Sequence, residues 1–232
     1  MKKAVIFDLD GTLADTLESI AYCTNRALED CGFGTIGDKE EFRRFVGNGA
    51  KMLIVRALRR IGDPEGEAAS AADADGMYTC PIHTKEVLER YLQYFEKDCM
   101  YQVRPYAGIR ELLVWLKESG IRIAVFSNKP HENTEYVIQS LFGEGYFDVV
   151  QGQTAAMRVK PAPDGVFAIL KKLAVAKEEI LYVGDSCVDM DTGKAAGVKT
   201  VGVLWGFRDR KELSEHGADA LIKSPAELMK LL

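Results

Sequence analysis

Asp8 and Asp10 stand two residues apart, directly after the apolar run Ala4-Val5-Ile6-Phe7 and directly before Gly11, Thr12 and Leu13. In an extended segment residues i and i+2 share a face, so both carboxylates can point into one small volume at the end of a buried strand. Two such anions repel. A shared proton or a hard cation such as Mg²⁺, which takes carboxylate, carbonyl and water oxygens, would hold them together, and a phosphate substrate would supply the remaining oxygens. The plain alternative is an Asp-Gly turn that merely closes a strand. A calcium loop is excluded, because Thr12 and Leu13 occupy positions where such a loop needs Asp or Asn and then Gly, and Ser19 replaces its closing Glu.

Three more polar clusters follow apolar segments further along the chain. Ser127-Asn128-Lys129 follows the predicted strand Ile121 to Phe126, Lys160 lies in the loop after Phe147 to Val150, and Gly184-Asp185-Ser186 follows Ile180 to Val183. Helices are expected between these strands, over Ile109 to Ser119, His131 to Leu141, Pro163 to Leu173 and Met190 to Ala196. A strand over Thr200 to Leu204, a shorter one over Ala218 to Ile222 and a helix over Pro225 to Leu231 complete the pattern. Such alternation implies right-handed crossovers and an α/β fold, a mainly parallel sheet covered on both faces. Ligands of such sheets bind beyond the carboxyl ends of the strands. Singly, Ser127-Asn128 reads as a helix cap, Lys160 as a surface charge and Asp185 as a turn residue. Those readings do not predict that all four clusters fall at one end of one sheet.

Between Thr16 and Glu96 the texture is helical, with an alanine-rich, acidic middle. Helices are expected from Leu17 to about Cys31, from Lys39 to Val46, around Met52 to Ile61, from Glu65 to Ala74 and from His83 to Lys97. In the last of these, Val87, Leu88, Tyr91, Leu92 and Phe95 form an apolar stripe. Gly47-Asn48-Gly49 and Gly62-Asp63-Pro64 interrupt the pattern.

Composition narrows the partners. A formal net charge of −5 and the lack of a Lys/Arg run leave no footprint for nucleic acid. No apolar run approaches membrane-spanning length, and Asp8 and Asp10 interrupt the stretch after Lys2-Lys3 before a signal-peptide core could form. The five cysteines are odd in number and contain no Cys-x-x-Cys pair, which suits reduced thiols in a cytoplasmic protein.

In their order and spacing these motifs resemble those of the haloacid dehalogenase superfamily of phosphohydrolases, within it the phosphoglycolate phosphatase-like branch. The motifs are Asp8-Leu9-Asp10-Gly11-Thr12, Ser127 within Val125-Phe126-Ser127-Asn128-Lys129, Lys160 within Lys160-Pro161-Ala162-Pro163-Asp164, and Gly184-Asp185-Ser186-Cys187-Val188-Asp189-Met190. The resemblance covers nearly the whole chain. It implies a Rossmann-like core formed by residues 1–15 and 97–232, with residues 16–96 as a small helical cap in which Val46 to Ala50 is similar to the cap loop. It further implies a Mg²⁺-dependent phosphatase acting on a small phosphorylated metabolite, as a monomer or homodimer.

On this resemblance Asp8 is the nucleophile and Asp10 the acid and then the base. Asp8, Asp185 and the backbone carbonyl of Asp10 hold the metal, while the Ser127 hydroxyl, the Gly11 and Asn128 amides and Lys160 bind phosphate. Asp189 either orients Lys160 or a metal-bound water, or is a helix cap or first-turn acid. Arg43 and Arg44 either meet a substrate carboxylate or are solvated charges. Asp10 favours ester chemistry, since an ester leaving group needs a proton. A sugar phosphomutase, a pyrophosphatase and a non-catalytic binding module remain as alternatives on the same core.

Overall fold

The computed structural model describes residues 2–64 and 82–232. The chain divides into two compact units, one of residues 1–15 with 104–232 and the other of residues 16–103. The helix expected over Glu65 to Ala74 lies outside the described residues.

The first unit is a six-stranded parallel sheet in the order β5-β4-β1-β6-β7-β8. Its strands are β1 (Ala4–Phe7), β4 (Arg122–Pro130), β5 (Val149–Gln153), β6 (Ile180–Gly184), β7 (Lys199–Val203) and β8 (Ala220–Ile222). Helices α4 (Ile109–Glu118), α5 (His131–Phe142), α6 (Asp164–Leu173), α7 (Cys187–Ala196) and α8 (Arg210–Glu215) connect them. The α/β class expected from the alternation of segments is therefore the observed one. Strand β1 is central, and all four of its residues are buried, as a run apolar on both faces requires. On one face of the sheet Ala4, Ile6, Ala124, Phe126 and Tyr182 pack with Val166, Ile169 and Leu173 of α6.

Two short strands were not legible in the sequence. β2 (Ala14–Asp15) and β3 (Arg104–Pro105) pair antiparallel, Ala14 opposite Pro105 and Asp15 opposite Arg104, so the chain leaves the core and returns to it side by side. A two-residue strand carries no periodicity of its own, and only its distant partner defines it. The return falls at Arg104, whereas the sequence placed it at residue 97.

The second unit contains α1 (Leu17–Asp30), a 3-10 turn over Lys39–Arg44, α2 (Ala50–Arg60) and α3 (Ile82–Asp98), with α1 and α2 both packed on α3. Of the expected stripe on α3, Val87, Tyr91 and Phe95 are buried at a spacing of four, while Leu92 is 39% exposed. Position 92 sits about 100° around the helix from Tyr91, beyond the contact face. Among the described residues, no helix is long and apolar enough to cross a membrane.

Candidate active site

Strand register assembles the site. Phe7 of β1 lies opposite both Val125 of β4 and Val183 of β6, so the residues that follow, Asp8, Ser127 and Asp185, emerge from three adjacent strands at one edge. The Asp8 amide donates to the Val183 carbonyl at 2.8 Å and extends this alignment by one residue. Strand β4 runs on to Pro130, four residues past the predicted end, because its pairing with β5 shifts register after Phe126 and resumes at Pro130. Ser127, Asn128 and Lys129 thus stand on strand backbone, a rigid support.

Lys160 is the hub. Its ammonium lies 2.8 Å from Asp8 Oδ1 and 2.7 Å from Asp189 Oδ1, and also donates to the Phe126 carbonyl at 3.3 Å. Burial by itself would depress this ammonium, but the Asp189 and Asp8 carboxylates outweigh it and hold Lys160 well above the ordinary lysine value. Two side-chain bonds position its backbone. Asn128 Oδ1 accepts from the Lys160 amide at 2.8 Å, and Asn128 Nδ2 donates to the Lys160 carbonyl at 3.2 Å. This side-chain role was invisible in the sequence, where only the Asn128 amide suggested itself, because 32 residues separate the partners. Asn128→Ala should remove both bonds and destabilise the protein by about 2 kcal/mol, at roughly 1 kcal/mol per bond. A thermal melt beside steady-state kinetics would show the melting temperature and turnover falling together, and unchanged values for both would reject the clamp.

Of the roles that the sequence left open, Asp189 both orients Lys160 and starts a helix. Its Oδ1 accepts from Lys160 and from the Tyr182 hydroxyl at 3.3 Å, while its Oδ2 accepts from the Ser186 amide at 3.1 Å and the Ser186 hydroxyl at 2.6 Å. It orients the lysine with one oxygen and starts α7 with the other, an arrangement open to an acid at the third position of a helix.

The acids of the site are crowded. Carboxylate oxygens of Asp8, Asp185 and Asp189 lie within 4.8 Å of one another. Burial, then the Asp189 charge, pushes the Asp8 carboxyl well above the usual carboxylate range despite Lys160. Burial, again followed by Asp189, pushes Asp185 up to about 7, against the opposing pull of the Phe207 amide and Arg208. Asp10 meets a second ammonium, Lys129 Nζ, at 2.8 Å. The four carboxylates of Asp8, Asp10, Asp185 and Asp189 outnumber the positive charges that face them, the ammoniums of Lys129 and Lys160 and the Arg208 guanidinium near Asp185. Asp189 is already occupied by Lys160, Tyr182 and Ser186, so Asp8 and Asp185 are the acids suited to a hard divalent cation.

A family model described as haloacid dehalogenase-like hydrolase matches residues 5–203 of the chain. The chain belongs to that family. Among its curated relatives, the phosphoglycolate phosphatase of Rhodospirillum rubrum is 35% identical over 98% of this chain and 90% of its own length. That of Colwellia psychrerythraea is 31% identical over 93% and 90%. A crystal structure from Lactobacillus delbrueckii subsp. bulgaricus superposes with a TM-score of 0.90 at 31% identity, covering 100% of this chain and 98% of that one. CbbY from Rhodobacter sphaeroides, in complex with phosphate, gives 0.73 at 27% identity over 98% and 96%.

For this member of the haloacid dehalogenase-like hydrolases, the remaining sequence candidates are distributed as follows. Ser127 is buried, and its Oγ accepts from the Lys129 amide at 3.2 Å. The Gly11 amide, expected to face phosphate, instead donates to the Ala14 carbonyl at 2.9 Å, because Gly11 turns the chain at φ +83° back toward β2. Cys187 is held as an inert thiol, its value pushed up to about 12 by burial and by Glu212. In the second unit, Arg43 pairs with Glu40 at 2.5 Å and Arg44 is exposed. The loop over residues 46–49 is tied instead by Arg56, which donates to the Phe45 carbonyl at 2.7 Å and to Asn48 Oδ1 at 2.6 Å. Lys129 and Arg56 were both missed, since a lysine beside a capping pair and an arginine in an amphipathic helix carry no local signal.

Proposed function

We propose that this chain is a Mg²⁺-dependent phosphatase that hydrolyses small phosphate monoesters through an aspartyl-phosphate on Asp8, with phosphoglycolate as the first substrate to test. The observation that carries this reading is the buried Lys160 ammonium shared between Asp8 and Asp189 beside Asp185. It places positive charge at a carboxylate that must approach a phosphate dianion.

Asp8, Asp185 and the Asp10 backbone carbonyl would hold the metal, and a bound Mg²⁺ would offset the repulsion between Asp8 and the phosphate and help align them. Asp8 attacks phosphorus and the bond to the leaving oxygen breaks, its departing alkoxide taking a proton from Asp10. Asp10 then takes a proton from water, whose oxygen attacks phosphorus and releases Asp8 with inorganic phosphate. Lys129 keeps the Asp10 carboxylate in place between these two transfers. The Ser127 hydroxyl proton and the Lys160 ammonium serve the equatorial oxygens of the transferring group. The unit of residues 16–103 acts as a cap that excludes water and selects the substrate. The curated relatives named phosphoglycolate phosphatase and the phosphate complex of a relative support this reading.

A turnover panel of phosphate monoesters that includes phosphoglycolate, with pyrophosphate and glucose 1-phosphate, tests the assignment. Phosphate release from a monoester is the expected result. Isomerised sugar phosphate would favour a mutase, and no turnover of any compound would reject catalysis.

Chelation should stop hydrolysis and added Mg²⁺ restore it. The raised Asp185 group gives this metal dependence a pH signature. In the metal-free protein its contribution to stability is fully present below its ordinary value of 3.8 and is lost as pH rises through about 7. Mg²⁺ binds the ionised form, so it should raise the melting temperature more at pH 8 than at pH 5. An equal shift at both would reject Asp185 as a ligand.

A further inference from the structure

The segment Leu204-Trp205-Gly206-Phe207-Arg208 follows β7 and matches none of the four motifs, yet three observations tie it to Asp185 and to the loop after β1. The Phe207 amide donates to Asp185 Oδ2 at 2.6 Å. Trp205 Nε1 donates to the Thr12 carbonyl at 3.0 Å. A Cβ on Gly206 would lie 2.3 Å from Asp185 Cβ and 2.4 Å from the Gly11 carbonyl oxygen, distances no side chain tolerates. From the opposite side, a Cβ on Gly11 would lie 2.2 Å from Asp185 Oδ2.

The Asp185 side chain therefore occupies a slot between two glycines, with one carboxylate oxygen fixed by a backbone amide. Backbone donors and glycine walls have no rotamers to explore, so this slot holds the carboxylate with little freedom to lose when a cation arrives. We propose that residues 204–208 form a positioning element that sets the affinity of Asp185 for a divalent cation, with Gly206 supplying the fit and Trp205 anchoring the segment to the Asp10-Gly11-Thr12 loop. This rests on the reading of Asp185 as a metal ligand. Neither Trp205 nor Gly206 touches substrate in this account; both act through Asp185.

Calorimetric titration of the full-length protein with Mg²⁺ alone provides the test, with Asp185→Asn as the reference. The expected result is saturable binding by the unmodified protein that Asp185→Asn abolishes. Gly206→Ala should weaken binding tenfold or more, and Trp205→Phe, which keeps the ring but lacks the donor, about threefold. The half-saturating Mg²⁺ for turnover should rise in parallel, while substrate KM at saturating metal stays unchanged, a division that general loosening would not produce. Wild-type affinity in both variants beside loss in Asp185→Asn would overturn the positioning role and leave the metal assignment standing. Unaltered binding by Asp185→Asn would overturn the assignment and the inference together. Trp205→Phe keeps the proposal open to refutation if Gly206→Ala does not fold.

Discussion

Asp8→Asn is expected to lower turnover by on the order of 10⁴-fold or more, because it removes the proposed nucleophile while keeping the shape of the side chain. Loss of activity on its own could reflect damage to the fold, but the electrostatics of the site separate the two causes. Burial and the Asp189 charge work against an ionised Asp8 and lift its carboxyl well above the usual range, with Lys160 only partly opposing them. A neutral amide relieves that cost. Lys160 retains Asp189 as a partner at 2.7 Å. The metal-free variant should therefore melt at or above the wild-type temperature at pH 7 while its catalysis is gone. Acid-quenched reactions with labelled substrate should trap a phosphorylated wild-type protein and none for the variant. Turnover by Asp8→Asn within tenfold of wild type would refute nucleophilic attack by this residue.

Lys160→Met should fail in the opposite manner, losing stability as well as rate. The ammonium is buried against Asp8 and Asp189, whose own side chains are 10% and 0% exposed. Removing one member of a buried ionic cluster leaves the others uncompensated, at a cost of about 3–5 kcal/mol. For a chain of this length that corresponds to a fall of roughly 10 °C in melting temperature. Loss of a fixed cation at the transferring phosphoryl group should reduce turnover by a further factor of about 10²–10³. Lys160→Arg is not expected to rescue, since a planar fork cannot occupy a site built around a compact ammonium under the Phe126 carbonyl. Adding Asp189→Asn to Lys160→Met should cost less stability than Asp189→Asn does in the wild-type background, because the orphaned charge goes with it. Independent, additive costs would mean that Lys160 and Asp189 are not one electrostatic unit.

The proposed chemistry draws on the core unit, and the unit of residues 16–103 is proposed to select the substrate. In that unit Arg56 holds the loop over residues 46–49 through the Phe45 carbonyl and Asn48. Its two bonds use the guanidinium's fixed fork, which a lysine would not reproduce.

The elements of the core were legible because each announces itself locally. A run of four apolar residues buried on both faces marks β1, and acids or hydroxyls directly after an apolar run mark the strand ends. Boundaries were less legible where a partner sets them. β4 continues through Ser127, Asn128 and Lys129 because β5 resumes pairing at Pro130, and the helix expected over Pro225 to Leu231 is a 3-10 segment. Helix α8, which is capped by Asp209 with its side chain accepting from the Glu212 amide, was missed although its capping residue was in view.

By itself the sequence determined that a parallel α/β sheet would carry Asp8, Asp10, Ser127, Lys160 and Asp185 at strand ends or just beyond them, since strand positions along the chain and their polar termini follow from local hydrophobic pattern. Only the tertiary structure decided who holds whom: Lys160 between Asp8 and Asp189, Asn128 on the Lys160 backbone, Lys129 on Asp10, and Gly206 with Phe207 around Asp185. The physical reason is range. Burial pattern and turn chemistry are properties of neighbouring residues, whereas charge compensation and close backbone approach act through space between distant segments, 152 residues apart for Lys160 and Asp8 and 193 for Trp205 and Thr12, and no local signal in the chain specifies them.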